Sequence, residues 1–149
     1  MRREITALHI RAFSHATEDI VKVRAAVTNA FGDCELHVHQ TEGHHGNPIS
    51  IIECSLQDAS SILGFFSKLS DEDIDHLIRT LDERTDDDCH LFFKLDKQSA
   101  YQGSIKLSSG EDVLSVRAKV RSFPAKRELA VEAAREYLMG VLEHRRARG

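Results

Sequence analysis

The stretch Glu35-Leu36-His37-Val38-His39-Gln40-Thr41-Glu42-Gly43-His44-His45-Gly46-Asn47-Pro48-Ile49-Ser50-Ile51-Ile52-Glu53-Cys54-Ser55 decides the fold. Glu35 to Gln40 alternates, with Leu36 and Val38 on one side and Glu35, His37 and His39 on the other, as a half-buried strand does. Ile49 to Leu56 is more continuously apolar and predicts a strand inside a sheet. The loop between them holds two of the eight glycines, one of the two prolines and two of the nine histidines. Glycine permits positive φ or close backbone approach, and Asn47-Pro48 imposes a turn or extended geometry. Two strands joined this tightly make an antiparallel hairpin, and the loop is either its shaped tip or a site.

Outward from the hairpin, Ile5 to Phe13 predicts a strand. Leu8, Ile10 and Ala12 fall on one face, and His9, Arg11 and Phe13 on the other. Ser14 to Thr17 reads as a turn with Thr17 as N-cap, and Ile20, Val23, Val27, Ala30 and Phe31 follow helical spacing up to Gly32. Asp58 caps a short helix carrying Ile62, Phe65, Phe66 and Leu69. Ser70 opens another with Ile74, Leu77, Ile78 and Leu81. Cys89 to Leu95 is a strand with Leu91, Phe93 and Leu95 inward. A polar connection from Asp96 to Gly103 follows, then a brief alternation at Ile105 and Leu107. Leu114 to Val120 is a strand, and Glu128 to His144 is a long amphipathic helix. The order β-α-β-β-α-α-β-β-β-α predicts an α+β fold in two layers, a mostly antiparallel sheet with helices packed on one face. The other face is then open.

At 149 residues the chain has the length of a single domain, here residues 1–149. No apolar run reaches the roughly 18 residues of a membrane span, and no apolar signal core follows Met1-Arg2-Arg3. The expectation is a cytoplasmic protein with no membrane partner. Cys34, Cys54 and Cys89 lack metal-binding spacing and are expected to be buried thiols. The net charge of −4 hides a division. Asp71 to Asp96 holds ten acids against Arg79, Arg84 and Lys94, whereas Arg117 to Gly149 holds nine Lys and Arg against four Glu. The field at the basic end therefore matters more than the total.

Two constellations carry chemistry. Arg117, Lys119 and Arg121 leave one face of a strand, and the same parity puts Arg11 with His9, and His37 with His39, on polar strand faces. Cations repeating along a strand meet successive phosphates, with Phe13 and Tyr101 as stacking rings. The second constellation is metal-like. His37 and His39, with His45 and Glu42, have donor types that suit zinc in a hydrolase or nuclease, although the adjacent His44 and His45 converge poorly on one ion. A third reading docks another protein through the acidic segment Asp71 to Asp88 or through a sheet edge. Phosphate-binding and nucleophile-elbow motifs are absent. The acidic clusters suit a helix start and a loop better than acid–base catalysis.

Three blocks, His9-Ile10-Arg11-Ala12-Phe13-Ser14-His15-Ala16-Thr17-Glu18-Asp19, Thr41-Glu42-Gly43-His44-His45-Gly46-Asn47-Pro48-Ile49 and Leu95-Asp96-Lys97-Gln98-Ser99-Ala100-Tyr101-Gln102-Gly103, resemble an archaeal family of predicted RNA-binding proteins, described as exosome-associated or exosome-subunit-like. The resemblance runs from about residue 5 to the last helix. It implies a fold similar to that of the 5S-RNA-binding ribosomal protein of the large subunit. It also implies RNA as partner, with exosome or ribosome-related proteins nearby, no catalytic activity and no cofactor. It adds Glu42, Gly43, His45, Gly46, Asn47, Asp96, Lys97 and Gln98 as motif positions. The expected RNA contacts are then Arg11, His37, His39, His44, His45, Asn47, Lys97, Gln98, Arg117, Lys119 and Arg121, with a homodimer left open.

Overall fold

The computed structural model describes residues 4–42 and 46–148. Its axis is strand β1 (Ile5–His15), paired on both sides. The sheet runs β2 (His37–Glu42), β3 (Pro48–Leu56), β1, β5 (Val113–Val120), β4 (His90–Asp96), and every neighbouring pair is antiparallel. Leu8 sits between Leu56 and Ala118, and Ile10 between Cys54 and Val116. Ala12 faces Ile52. All of these are buried. In a strand the side-chain period is two, so one register fixes which residues of each neighbour turn inward.

Helices cover that inward face. They are α1 (Ile20–Phe31), α2 (Ala59–Phe66), α3 (Asp71–Arg79), α4 (Leu81–Arg84), α5 (Lys97–Tyr101) and α6 (Arg127–Arg148). Caps set where they start: the side chains of Asp19, Asp58, Ser70 and Asp96 accept from the backbone N–H of Val21, Ser61, Asp73 and Ser99. The core is aromatic at its centre. Phe65 lies 5.2 Å from both Phe31 and Phe66, and Phe66 lies 5.4 Å from Tyr137. Burial pushes the Tyr137 hydroxyl up to about 12.

Several sequence expectations are corrected. Asp19, not Thr17, caps α1, because β1 continues to His15. Ile105 and Leu107 form no strand; Leu107 makes only an isolated bridge to Leu95. The polar connection after β4 contains α5, a five-residue helix under the Asp96 cap. Val38 does not turn into the core but stays 42% exposed, because the helices pack on β1, β3, β4 and β5 and leave edge strand β2 exposed throughout. Cys34 and Cys54 are joined in a disulfide, with Cα atoms 6.3 Å apart, where free thiols were expected; Cys89 is the buried free thiol. The hairpin register brings the α1–β2 connection beside β3, a proximity that the sequence separation conceals. Gly43, His44 and His45 lie outside the described residues. Among the described residues no helix is long and apolar enough to cross a membrane.

Part of the basic charge at the C-terminal end is structural. Arg145 of α6 donates to the carbonyls of Phe66, Ser67 and Leu69 and pairs with Asp71 at 2.6 Å. It thereby satisfies the C-terminal carbonyls of α2 and the first turn of α3 together. Charge-assisted hydrogen bonds of this kind contribute about 1.5–3 kcal/mol. Arg145→Ala is therefore expected to lower unfolding free energy by about 2 kcal/mol, read as a lower urea midpoint. Arg145→Lys, a point donor without the planar fork, is expected to recover only part of the loss.

Candidate nucleic-acid interface

The face of the sheet turned away from the helices can be read row by row from the register. His37 of β2, Glu53 of β3, Arg11 of β1, Ser115 of β5 and Lys94 of β4 form one row across all five strands. The next row, away from the glycine loop, is Ser55, His9, Arg117 and Phe92. Beyond it come Ala7, Lys119 and His90. On the loop side the row is His39, Ile51 and Phe13, followed by Thr41, Ile49 and His15. Paired residues in an antiparallel sheet share a face with side chains about 5 Å apart. The open face thus brings together Arg11, His37, His39, Arg117 and Lys119 from three strands.

The same face gains residues that sequence reasoning did not single out. His90, Phe92 and Lys94 belong to β4, and the inward assignment of Leu91, Phe93 and Leu95 already placed them outward. Phe92 is 44% exposed and Phe13 is 39% exposed. The His90 and Phe92 rings meet edge to face at 6.2 Å. Large exposed aromatics on an otherwise charged surface are the informative kind of exposure.

Glu53 is the acid among these cations. It accepts from Arg11 Nε at 2.7 Å and lies 3.4 Å from His39 Nε2 and 3.9 Å from His9 Nε2. Burial pushes its carboxyl up, but the Arg11 hydrogen bond and charge, with His9 and His39, hold it below the usual carboxylate range. His9 is moved the other way. Burial lowers its imidazole below 6.5, Glu53 raises it, and Arg117 and Arg11 lower it further. An imidazole so placed is neutral at neutral pH, and an arriving phosphate would favour its charged form.

The remaining sequence candidates lie elsewhere. Lys97 is 5% exposed. Its ammonium donates to the Phe13 carbonyl at 2.9 Å and pairs with Glu18 at 3.2 Å and Asp112 at 3.0 Å, tying α5 to β1, to the turn before α1 and to the segment before β5. Gln98 donates to Asp112 at 2.9 Å, and that bond, ahead of Lys97, holds the Asp112 carboxyl below its ordinary value against the upward push of burial. Tyr101 is on α5, with the Lys22 ammonium over its ring at 5.5 Å. Lys97, Gln98 and Tyr101 line one hollow with Thr17, Glu18 and Lys22, beside α1 and away from the open face. Arg121 lies past the end of β5 and lines a hollow with Thr6, Gln57 and Asp58. Asn47 is exposed beside Pro48 at the hairpin, next to Gly46 with φ +74°.

For the metal-like set, His37, His39 and Glu42 are not brought to a common ligand distance among the described residues, and His45 lies outside them. The trio that does come together is Asp86, Asp88 and His90. There Asp86 accepts from the backbone N–H of Asp88 and His90, as an aspartate bracing a turn does.

Comparison with known proteins points the same way as the face. A family model described as RNA binding matches residues 7–120. An RNA-binding protein of Pyrococcus abyssi is 40% identical over 143 residues, covering 89% of this chain and 93% of that one. A solved structure from Archaeoglobus fulgidus superimposes with a TM-score of 0.79 at 34% identity, covering 89% of this chain and 98% of that one. One from Methanothermobacter thermautotrophicus gives 0.78 at 31% identity, with 90% and 98% covered.

Two outcomes follow from the geometry. Lys97→Ala leaves the Phe13 carbonyl without its donor and sets Glu18 near Asp112, so urea unfolding is expected to show a loss of about 2 kcal/mol. His9 is expected to titrate below 6.5 by NMR, and lower still in Glu53→Gln, which removes the charge that raises it. The folded chain then binds its proton less readily than the unfolded chain. His9 accordingly contributes stability above pH 6.5 that is lost as pH falls towards its folded value. A His9 that titrates above 6.5 contradicts this environment.

Proposed function

The chain belongs to the RNA-binding family, and on that premise we propose that it is a non-catalytic, cytoplasmic RNA-binding accessory protein whose open sheet face is the contact surface. One observation carries this reading. The helices occupy one side of the sheet, and the other side presents Arg11, Lys94, Arg117 and Lys119, with histidines and two exposed phenylalanines, as a continuous surface. Guanidinium and ammonium groups meet phosphates, and aromatic rings meet bases.

The net charge of −4 shapes the proposal. A protein that gripped RNA by charge alone would carry basic residues on many sides. Here Arg145, Arg127, Lys68 and Lys97 bind carbonyls and carboxylates of the chain itself. The cations that the open face itself gathers are Lys94, Arg117 and Lys119, with Arg11 shared with Glu53. Contact of this kind suits a selective accessory in RNA processing beside the exosome, or in ribosome assembly, better than a nonspecific coat. The resemblance of the three sequence blocks supports that setting, and the Pyrococcus relative named as an RNA-binding protein supports the ligand.

Filter binding across a salt series tests the reading. The expected plot of log affinity against log salt is a line with modest negative slope. Arg117→Ala and Lys119→Ala are each expected to weaken binding similarly for all RNA sequences and to reduce the slope by about 1. Affinity indifferent to salt, or unchanged in both variants, overturns the assignment of this face.

A further inference from the structure

We infer that the RNA taken by the open face is single-stranded, lying diagonally across β1, β5 and β4 with one unstacked base on Phe13 and another on Phe92. This rests on the proposed RNA contact and specifies the form of the ligand. The two rings are the large aromatic side chains left exposed on this sheet among the described residues. Neither joins the buried aromatic cluster of Phe31, Phe65, Phe66, Phe93 and Tyr137. An exposed ring beside cations offers an unstacked base a stacking platform.

Their positions set the form of what covers them. Phe92 shares a row with Arg117 and His9, and Phe13 lies four residues further along β1 from His9. Two strand spacings of about 4.8 Å and four residues of about 3.4 Å separate the rings by roughly 17 Å. A continuous base stack on either ring would rise off the sheet and never reach the other. One strand must therefore lie extended across the face, with separate bases on separate rings. The diagonal between them crosses Arg117, Ser115 and Arg11, which offers phosphate and sugar two guanidinium groups and a hydroxyl on the way. Glu53, held against Arg11 at 2.7 Å, repels a continuous phosphate column and accepts readily from the amino group of an exposed base. A duplex offers none of this. Its bases are stacked and paired inside, so only its phosphates reach the face, and the rings would lose water for no return.

The test is fluorescence anisotropy with a short labelled RNA of mixed sequence, as a single strand and annealed to its complement, at one salt concentration. The single strand is expected to bind at least about tenfold more tightly than the duplex. Phe13→Ala and Phe92→Ala are each expected to weaken it by roughly 5- to 150-fold while leaving duplex binding unchanged. Phe92→Trp is expected to retain or strengthen binding. Both rings are surface groups, and thermal melts of the variants establish that the fold persists. Duplex bound as tightly as single strand, or single-strand affinity indifferent to both alanine variants, overturns the inference while the RNA reading stands. Variants that alter the protein's oligomeric mass but not its RNA affinity make the face a contact between copies of the chain, and also overturn it. No binding of either RNA form by the unaltered protein overturns the inference and the RNA reading together.

Discussion

The structure depends on the alternation along one strand that is paired on both sides. β1 meets β3 on one edge and β5 on the other, so its inward residues Leu8, Ile10 and Ala12 set the parity of both neighbours, and through them of β2 and β4. A one-residue slip would exchange the core for the open face across the sheet. The requirement that Leu8 and Ile10 be buried therefore also brings Arg11, Arg117 and Phe92 to one surface. The candidate site is the reverse side of the hydrophobic core, fixed by the same register.

That relation explains what could be read in advance. Strand parity is local, so the separation of Leu8, Ile10 and Ala12 from His9, Arg11 and Phe13 follows from the sequence, as does the shared face of Arg117 and Lys119. The two-layer α+β architecture follows from amphipathic helices and a tight hairpin. Phe92, His90 and Lys94 are equally legible by parity, since they alternate with the inward Leu91, Phe93 and Leu95. Other features depend on long-range placement. Lys97 looks like a surface cation in a polar loop, and only the fold shows Phe13, Glu18 and Asp112 around its ammonium. α5 is too short for periodicity to reveal. Val38 alternates correctly, yet the helix that would cover it does not reach β2.

Charge shows the same split between pattern and placement. The acidic run before β4 is largely engaged inside the protein: Asp71 with Arg145, Asp75 with Arg79, Asp73 with the Leu107 N–H, and Asp86 with its own turn. Lys68 gives its ammonium to the last carbonyls of α1, where the helix dipole favours a cation, although burial lowers its affinity for the proton. Counting charges by segment could not separate these from the exposed cations of β5. What distinguishes Arg117 and Lys119 is the absence of any element packed over their strand face among the described residues.

The exposure of β2 has a consequence for motion. Every described residue of this strand is exposed, and one sheet partner, β3, holds it. Little apolar surface is lost if it detaches, whereas β1 cannot open without dismantling the core. The sheet is thus graded in cooperativity, rigid about β1 and more readily released along the β2 edge that carries His37, His39 and the approach to the glycine loop, beyond the point where the Cys34–Cys54 disulfide ties that edge to β3. A ligand on the rigid centre meets a preorganised surface, while one that also engages β2 would recruit an edge still free to adapt, at an entropic cost that depends on how firmly it is caught.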